Sequence, residues 1–193
     1  MIFLFLSLAC QEKEQAKSPQ ELYDTYCGLC HGYEGEGYLA EAANALSNPE
    51  FLSIADDEFL IHATDFGRPE TKMSAWGEKQ NGPLSAKEIE QIVGYIRGWQ
   101  TLESKDTSFS VEGNIENGVL IYEQHCQSCH GLEGEGGSAL SLNSPTFLES
   151  IMDGFLWYSL IDGRSGTTMQ SYADILSEDE ISDVVALIRS WEE

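Results

Sequence analysis

Two short stretches of the sequence carry the same reactive residue types in the same order. The first reads CGLCH from Cys27 to His31, and the second reads CQSCH from Cys126 to His130. Cys-x-x-Cys-His is the attachment pattern of c-type haem: both thiols form thioethers with the haem, and the histidine binds its iron. The pattern therefore predicts two covalently bound haem c groups. The predicted thioether residues are Cys27, Cys30, Cys126 and Cys129, and the predicted proximal iron ligands are His31 and His130.

Two other uses of the four cysteines are open from their spacing alone. One is a single structural zinc ion bound by all four thiolates. The other is a pair of disulfides or redox dithiols in an oxidising compartment. Neither alternative requires a histidine directly after both cysteine pairs, so the haem interpretation accounts for more of the sequence.

The two stretches belong to a longer internal repeat. Further matched segments follow in the same order in both halves, among them NPEFLS with SPTFLE and LSAKEIEQIVGYIRGWQ with LSEDEISDVVALIRSWE. Self-similarity over this length indicates two homologous domains. We predict a first domain at 18–100, a second at 113–193 and a linker at 101–112, where the sequence is polar and lacks apolar periodicity.

Helical patterns surround each cysteine pair, and no convincing alternating strand pattern occurs. Ser85 and Ser177 each precede a glutamate by three residues and start an apolar stripe with helical spacing, which predicts a capped final helix in each half. Ser18 and Asn117 are the predicted N-caps of the first helices. Shorter helices are predicted over 56–65 and 152–161. The fold class is therefore all-α, with two tandem domains of a few short helices, each wrapped around a haem.

A methionine recurs at matching places downstream of the two cysteine pairs. Met73 and Met169 each follow a Gly-Arg pair and precede an aromatic residue. A lone methionine usually fills a gap in a core, but this recurrence favours a role as the second axial iron ligand. Met152 has no counterpart in the other half and is interpreted as a packing residue. His62 and His125 do not recur either, and both are interpreted as structural.

Each half resembles a small class I cytochrome c domain, and the pair resembles the two-haem, two-domain bacterial cytochromes of the periplasm. The resemblance covers nearly all of the chain after residue 18. It implies that the first and last helices of each domain cross, with Tyr23 and Tyr122 meeting aromatic residues there and Gly118 permitting a close approach. It also makes Arg68 and Arg164 candidates for contacts with haem propionates; the alternative for both is a surface arginine.

Composition limits the class of partner. The 193 residues include 33 acidic and 10 basic side chains, a net charge of -23 at pH 7. This charge argues against nucleic acid or an anionic membrane surface as a direct partner. It favours a redox partner with a basic docking face, although the acidity could also serve only solubility and helix capping.

Cys10 lies outside both haem motifs. It ends the stretch MIFLFLSLAC, whose apolar run is too short to span a bilayer and long enough for the core of an export signal. Residues 1–17 resemble a bacterial lipoprotein signal and tether, in which Cys10 would carry the lipid. The alternative is an ordinary signal peptide with an incidental cysteine.

The predicted function is periplasmic electron transfer by a dihaem cytochrome with His/Met-ligated irons. The protein would be a carrier or the cytochrome subunit of a membrane oxidoreductase complex, and not itself an enzyme. The alternative is a haem enzyme, peroxidase-like or oxidising sulfur compounds, with one displaceable axial ligand. The expected location is the periplasmic side of a bacterial membrane, lipid-anchored or soluble, with the membrane touched by the lipid alone.

The lipid assignment predicts the outcome of one substitution. Cys10→Ser removes the thiol to which the lipid would be attached, so the protein should move from the membrane fraction to the soluble periplasmic fraction. Fractionation followed by haem staining measures this. A variant that stays with the membranes would show that another contact holds the protein there.

Overall fold

The computed structural model describes residues 16–40, 42–69 and 71–192; Cys10 and the predicted signal up to residue 15 lie outside them. The described residues form ten α-helices and two short 3₁₀ turns without a β-strand, which confirms the all-α class. None of the helices in these ranges is long and apolar enough to cross a membrane.

The helices form two sets with the same order. The first set is α1 (Pro19–Tyr26), α2 (Gly28–His31), α3 (Pro49–Ile54), α4 (Asp57–Phe66) and α5 (Ala86–Arg97). The second set is α6 (Ile115–His125), α7 (Gln127–His130), α8 (Pro145–Leu148), α9 (Asp153–Asp162) and α10 (Glu178–Arg189). The 3₁₀ turns are Glu78–Gln80 and Ser190–Glu192.

Most helix starts follow from local side-chain chemistry. The capping boxes predicted at Ser85 and Ser177 are present, and each serine accepts a hydrogen bond from the third helical N–H. The prediction of Asn117 as the cap of α6 was wrong. Asn114 caps this helix and accepts the Asn117 N–H at 3.1 Å, while the Asn117 side chain donates to Asp183 on α10. The long-range partner on α10 explains why the sequence pattern misplaced the cap.

The first and last helices of each half cross as the resemblance implied. The Tyr23 ring lies 5.1 Å from the Trp99 ring, and the Tyr122 ring lies 5.2 Å from the Trp191 ring. At Gly118 the α6 backbone approaches α10 so closely that a Cβ atom would lie 2.2 Å from a carbonyl oxygen. Any other residue at this position would push the two helices apart.

An arginine at the end of each last helix holds the two middle helices in place. Arg97 donates to Leu52 O at 2.9 Å and to Ala55 O, and its Nε lies 2.5 Å from Asp57 Oδ1. These acceptors flank the turn between α3 and α4, so one side chain joins three helices. Arg189 makes the same set of contacts with the turn between α8 and α9.

Four phenylalanine rings join the two halves in one continuous core. Phe51 on α3 and Phe59 on α4 meet Phe147 on α8 and Phe155 on α9. The ring centres are 6.4 Å apart for Phe51 and Phe155, 6.2 Å for Phe59 and Phe147, and 5.2 Å for Phe59 and Phe155. The four residues occupy matching positions of the repeat, so the interface has approximate two-fold symmetry.

The segment predicted as a linker lacks regular structure but packs along both halves. The Lys105 N–H donates to Ser53 O at 2.7 Å, and its ammonium group lies 2.6 Å from Asp162 Oδ2. Phe109 meets the Trp157 ring edge-on at 6.0 Å. These contacts fix the connection against α3 and α9, which limits the freedom of one half relative to the other.

The shared core predicts how the protein responds to a cavity at its centre. Phe59→Ala in the full haem-loaded chain should lower the free energy of unfolding by about 3–5 kcal/mol, as for other large-to-small changes in cores. Both halves should still unfold in one transition, because the lost ring contacts both of them. Phe66→Ala, at the exposed end of the same helix, is the matched control and should have a small effect.

Denaturant unfolding followed at haem absorbance and at tryptophan fluorescence measures both quantities. Two separate transitions, with only the first-half transition moved by Phe59→Ala, would contradict a shared core.

Candidate haem-binding sites

Each cysteine pair lies at a break between two consecutive helices. In the first half, Cys27 ends α1, and α2 follows at once with Cys30 and His31. Gly32 then takes φ of 82°, a left-handed conformation that favours glycine and ends α2. The buried Tyr23 hydroxyl donates to Gly32 O at 2.7 Å and so fixes the peptide that follows the histidine. The three reactive side chains therefore come from one rigid turn.

The second half repeats this arrangement. Cys126 separates α6 from α7, and Gly131 takes φ of 86° after His130. The Tyr122 hydroxyl donates to Gly131 O at 2.8 Å. Both tyrosines lie at the expected helix crossings, but their hydrogen bonds were not predicted from the sequence. The constant spacing of tyrosine, cysteine pair and glycine was the available signal.

A backbone carbonyl orients each histidine ring. His31 Nδ1 lies 2.9 Å from Asn44 O, and His130 Nδ1 lies 2.9 Å from Leu140 O. A carbonyl oxygen can only accept, so in both rings the proton is on Nδ1 and the lone pair is on Nε2. Burial lowers the pKa of both histidines, which favours the neutral form that binds metals. The carbonyl partners therefore prepare Nε2 as a ligand atom.

Each predicted ligand set lines its own cavity. The first cavity is lined by Cys27, Cys30, His31, Met73 and Trp76, among others. The second is lined by Cys126, Cys129, His130, Met169 and Tyr172, among others. The structure thus brings together, in each half, two thiols, an imidazole prepared as a ligand and a thioether. These are the groups that a covalently bound, six-coordinate haem requires, and the cavity walls are mainly apolar, so the residues fit such a group.

The methionine loops are closed by their own hydrogen bonds. The Arg68 N–H donates to Met73 O at 2.8 Å, the Thr71 hydroxyl donates to Arg68 O at 2.8 Å, and the Met73 N–H donates to Thr71 Oγ1 at 3.1 Å. Residues 164–169 repeat all three bonds, at 2.7, 2.9 and 3.1 Å. Sequence reasoning missed this threonine, although it stands two residues before the methionine in both halves.

The geometry of the cysteines argues against the zinc alternative. The two pairs lie in separate cavities, and in the described part of the chain no three His, Cys, Asp or Glu residues are grouped so that they could hold a metal ion. Burial raises the pKa of Cys27 to about 12 and that of Cys126 to about 11, which disfavours the thiolates that zinc binds.

The two candidate arginines reach toward the cavities rather than the surface. Arg68 lines both cavities, and its guanidinium carbon lies 4.5 Å from the centre of the Phe147 ring. Arg164 lines the second cavity. Burial lowers the pKa of each to about 10, so both remain charged at neutral pH.

Three residues set aside by the sequence analysis lie elsewhere. Met152 precedes α9 and is 49% exposed, so the prediction that it packs in the core was wrong. His62 stacks on Phe66 with ring centres 4.6 Å apart. His125 lines the second cavity beside Tyr172, whose hydroxyl donates to its carbonyl oxygen at 3.1 Å.

A helical fold with Cys-x-x-Cys-His at the wall of a cavity that also contains a methionine defines the class of c-type cytochromes. Comparison with known proteins gives the family. The family model described as "Cytochrome C oxidase, cbb3-type, subunit III" matches residues 14–96 and 113–188, and the chain belongs to this family. Membership implies covalently bound haem c, and the function of the chain is electron transfer.

Similar proteins described as cytochrome c subunits support the class of c-type cytochromes. The chain is 22% identical to a "Cytochrome bc1 complex cytochrome c subunit" of Corynebacterium diphtheriae, over 95% of this chain and 69% of the relative. It is 24% identical to the "Cbb3-type cytochrome c oxidase subunit FixP" of Bradyrhizobium diazoefficiens, over 83% of this chain and 58% of the relative. The chain therefore spans about six tenths to seven tenths of the length of these two proteins.

One solved structure shares the arrangement of nearly the whole chain. A chain of the "Kuenenia stuttgartiensis reducing HAO-like protein complex Kustc0457/Kustc0458" matches with a TM-score of 0.54 and 20% identity, over 93% of this chain and 98% of that chain. At this level of identity the likeness shows the fold.

Proposed function

We propose that the chain carries two covalently bound haem c groups and passes single electrons between redox proteins. The proposed domains are residues 18–100 and 113–193, with one haem in each and 101–112 as the connection. The observation that carries the proposal is the pair of 2.9 Å contacts between the histidine Nδ1 atoms and backbone carbonyls, each at a cavity that also contains a cysteine pair and a methionine.

Each cavity supplies a complete set of attachment and ligand atoms under this proposal. The thiols of Cys27 and Cys30 would hold the first haem, and His31 Nε2 and Met73 Sδ would bind its iron. Cys126, Cys129, His130 and Met169 have the same roles in the second half. His/Met ligation raises the reduction potential relative to two histidines and leaves no open position on the iron.

The protein's contribution to electron transfer is positioning and exclusion of water. When bound, each haem supplies the one-electron change of its iron. The Asn44 and Leu140 carbonyls hold the histidine rings, and the hydrogen-bonded loops hold Met73 and Met169, so the chain itself fixes the side chains that would bind each haem. Phe51 and other apolar side chains line both cavities and would exclude water from a bound haem.

The enzyme alternative needs an iron position that substrate can reach. Both cavities contain a methionine in a loop closed by three hydrogen bonds, which favours two closed irons. An electron carrier or electron-transferring subunit is therefore the better proposal.

The named relatives suggest where the electrons go. They are described as cytochrome c subunits of a bc1 complex and of a cbb3-type oxidase. By analogy, we place this chain beside a membrane oxidoreductase complex on the periplasmic side of a bacterial membrane. Cys10 would be its lipid anchor, and a basic docking face on the partner would match its acidic surface.

Intact mass spectrometry tests the proposed haem count. The full chain, produced in a host that matures c-type cytochromes and then denatured, should carry two haem additions. The double change Cys126→Ser and Cys129→Ser should leave one addition. A mass equal to the bare polypeptide, or to the polypeptide with zinc, would overturn the proposal.

Single methionine variants test the distal ligands. In the oxidised protein, Met73→Ala and Met169→Ala should each remove about half of the near-infrared charge-transfer band between methionine and iron, because each haem would contribute equally. Met152→Ala is the matched control, since this side chain is half exposed and precedes α9, and it should keep the whole band. Full intensity in Met73→Ala or Met169→Ala would exclude that methionine.

A further inference from the structure

The cavities of the two halves meet at a common wall. Among the described residues, six line both cavities: Ala42, Asn44, Phe51, Arg68, Ala139 and Leu140. Asn44 and Leu140 also supply the carbonyl oxygens that hold the two histidine rings. Of the six, Arg68 alone carries a charge. The wall therefore presents one cation to both sites.

Arg68 belongs to the first half, but its side chain reaches the second. Its N–H is bonded to Met73 O at 2.8 Å, which ties its backbone to the first methionine loop, while its guanidinium lies over the ring of Phe147. Within the described part of the chain, no residue accepts a hydrogen bond from this guanidinium, which has five N–H donors. A half-buried cation with unused donors at a cavity wall favours an anionic ligand in that cavity.

Arg164 occupies the matching place in the repeat but has a different environment. Its guanidinium donates to Ser159 Oγ and to Gly163 O, both at 2.8 Å. The carboxylates of Glu50 and Asp162 raise its pKa against the opposing and larger effect of burial. The protein itself therefore balances part of the Arg164 charge.

The sequence explains the difference between the two arginines. Three residues near Arg164 differ from those at the matching positions near Arg68. Ser159 is matched by Ala63, Glu50 by Thr146, and Asp162 by Phe66. Each replacement removes a hydrogen-bond acceptor or a negative charge. Both halves of the repeat therefore contain the arginine, and only the second arginine has these protein partners.

We propose that Arg68 is a cation shared by both haem sites, where it binds carboxylate groups of the haems and raises the reduction potentials of both. This inference rests on the proposed function, because it requires a haem in each cavity. An electron received from a donor protein lowers the charge of the iron by one unit, so a fixed cation nearby stabilises the reduced form. Arg164 lines the second cavity and not the first, so it acts on one haem.

A spectroelectrochemical titration of the full two-haem protein tests the inference. Arg68→Gln should move both reduction waves to lower potential. Arg164→Gln, the matched change in the other half, should move one wave and leave the other in place. An Arg68→Gln variant in which one wave or neither moves would overturn the shared role.

A second pair of variants keeps both arginines and changes only the balancing charge. Thr146→Glu introduces an acid at the place that Glu50 occupies in the other half, and it should lower both potentials. Glu50→Thr removes the acid beside Arg164, and it should raise one. If Thr146→Glu moves a single wave, Arg68 does not serve both haems.

The wild-type protein separates failure of the inference from failure of the proposed function. Two haem additions and two reversible one-electron waves in the wild type are required by the proposed function alone. Their absence would reject that function, whereas their presence with the wrong response to Arg68→Gln would reject only the shared cation.

Discussion

Burial of the four phenylalanine rings between the halves is the interaction on which the rest of the structure depends. A domain of about 80 residues buries a small fraction of its surface and is marginal by itself. Each half here also opens a cavity in its own middle, which leaves fewer side chains for a core. Packing α3 and α4 of one half against α8 and α9 of the other supplies the missing apolar contacts.

This packing has a direct consequence for the sites. The helices that form the interface also form the inner walls of the two cavities, and Phe51 is part of both the ring cluster and the common wall. Once the halves join through these helices, the cavities must lie side by side. If each cavity holds a haem as proposed, the shared wall places the two haems side by side, so the packing that stabilises the chain also sets the arrangement of its sites.

The parts of this structure that sequence could predict are those coded by local side-chain patterns. Capping boxes and apolar stripes identified the final helices, and the Cys-x-x-Cys-His spacing picked out cysteine and histidine side chains that line a common cavity in each half. The partners of His31 and His130 could not be predicted, because they are backbone carbonyls and any residue type supplies one. The clamps made by Arg97 and Arg189 also join residues far apart in sequence. In the sequence, only the recurrence of an arginine at the end of each last helix pointed to these clamps. That recurrence does not reveal which backbone carbonyls the arginine contacts.

The location of a charge explains how one half-buried arginine could affect reduction potentials in a chain with a net charge of -23. Charges on the surface act through water and salt, which screen them beyond about 8 Å at physiological ionic strength. Arg68 faces the cavities from within the protein, where screening is weaker and the same charge has a larger effect. Under the proposed function, the acidic surface would act on the approach of partners, while the arginines at the cavity walls would act on the reduction potentials. Both halves of the repeat have such an arginine, but Ser159, Glu50 and Asp162 have no polar or acidic equivalent of the same charge around Arg68, so the first half has the less balanced cation.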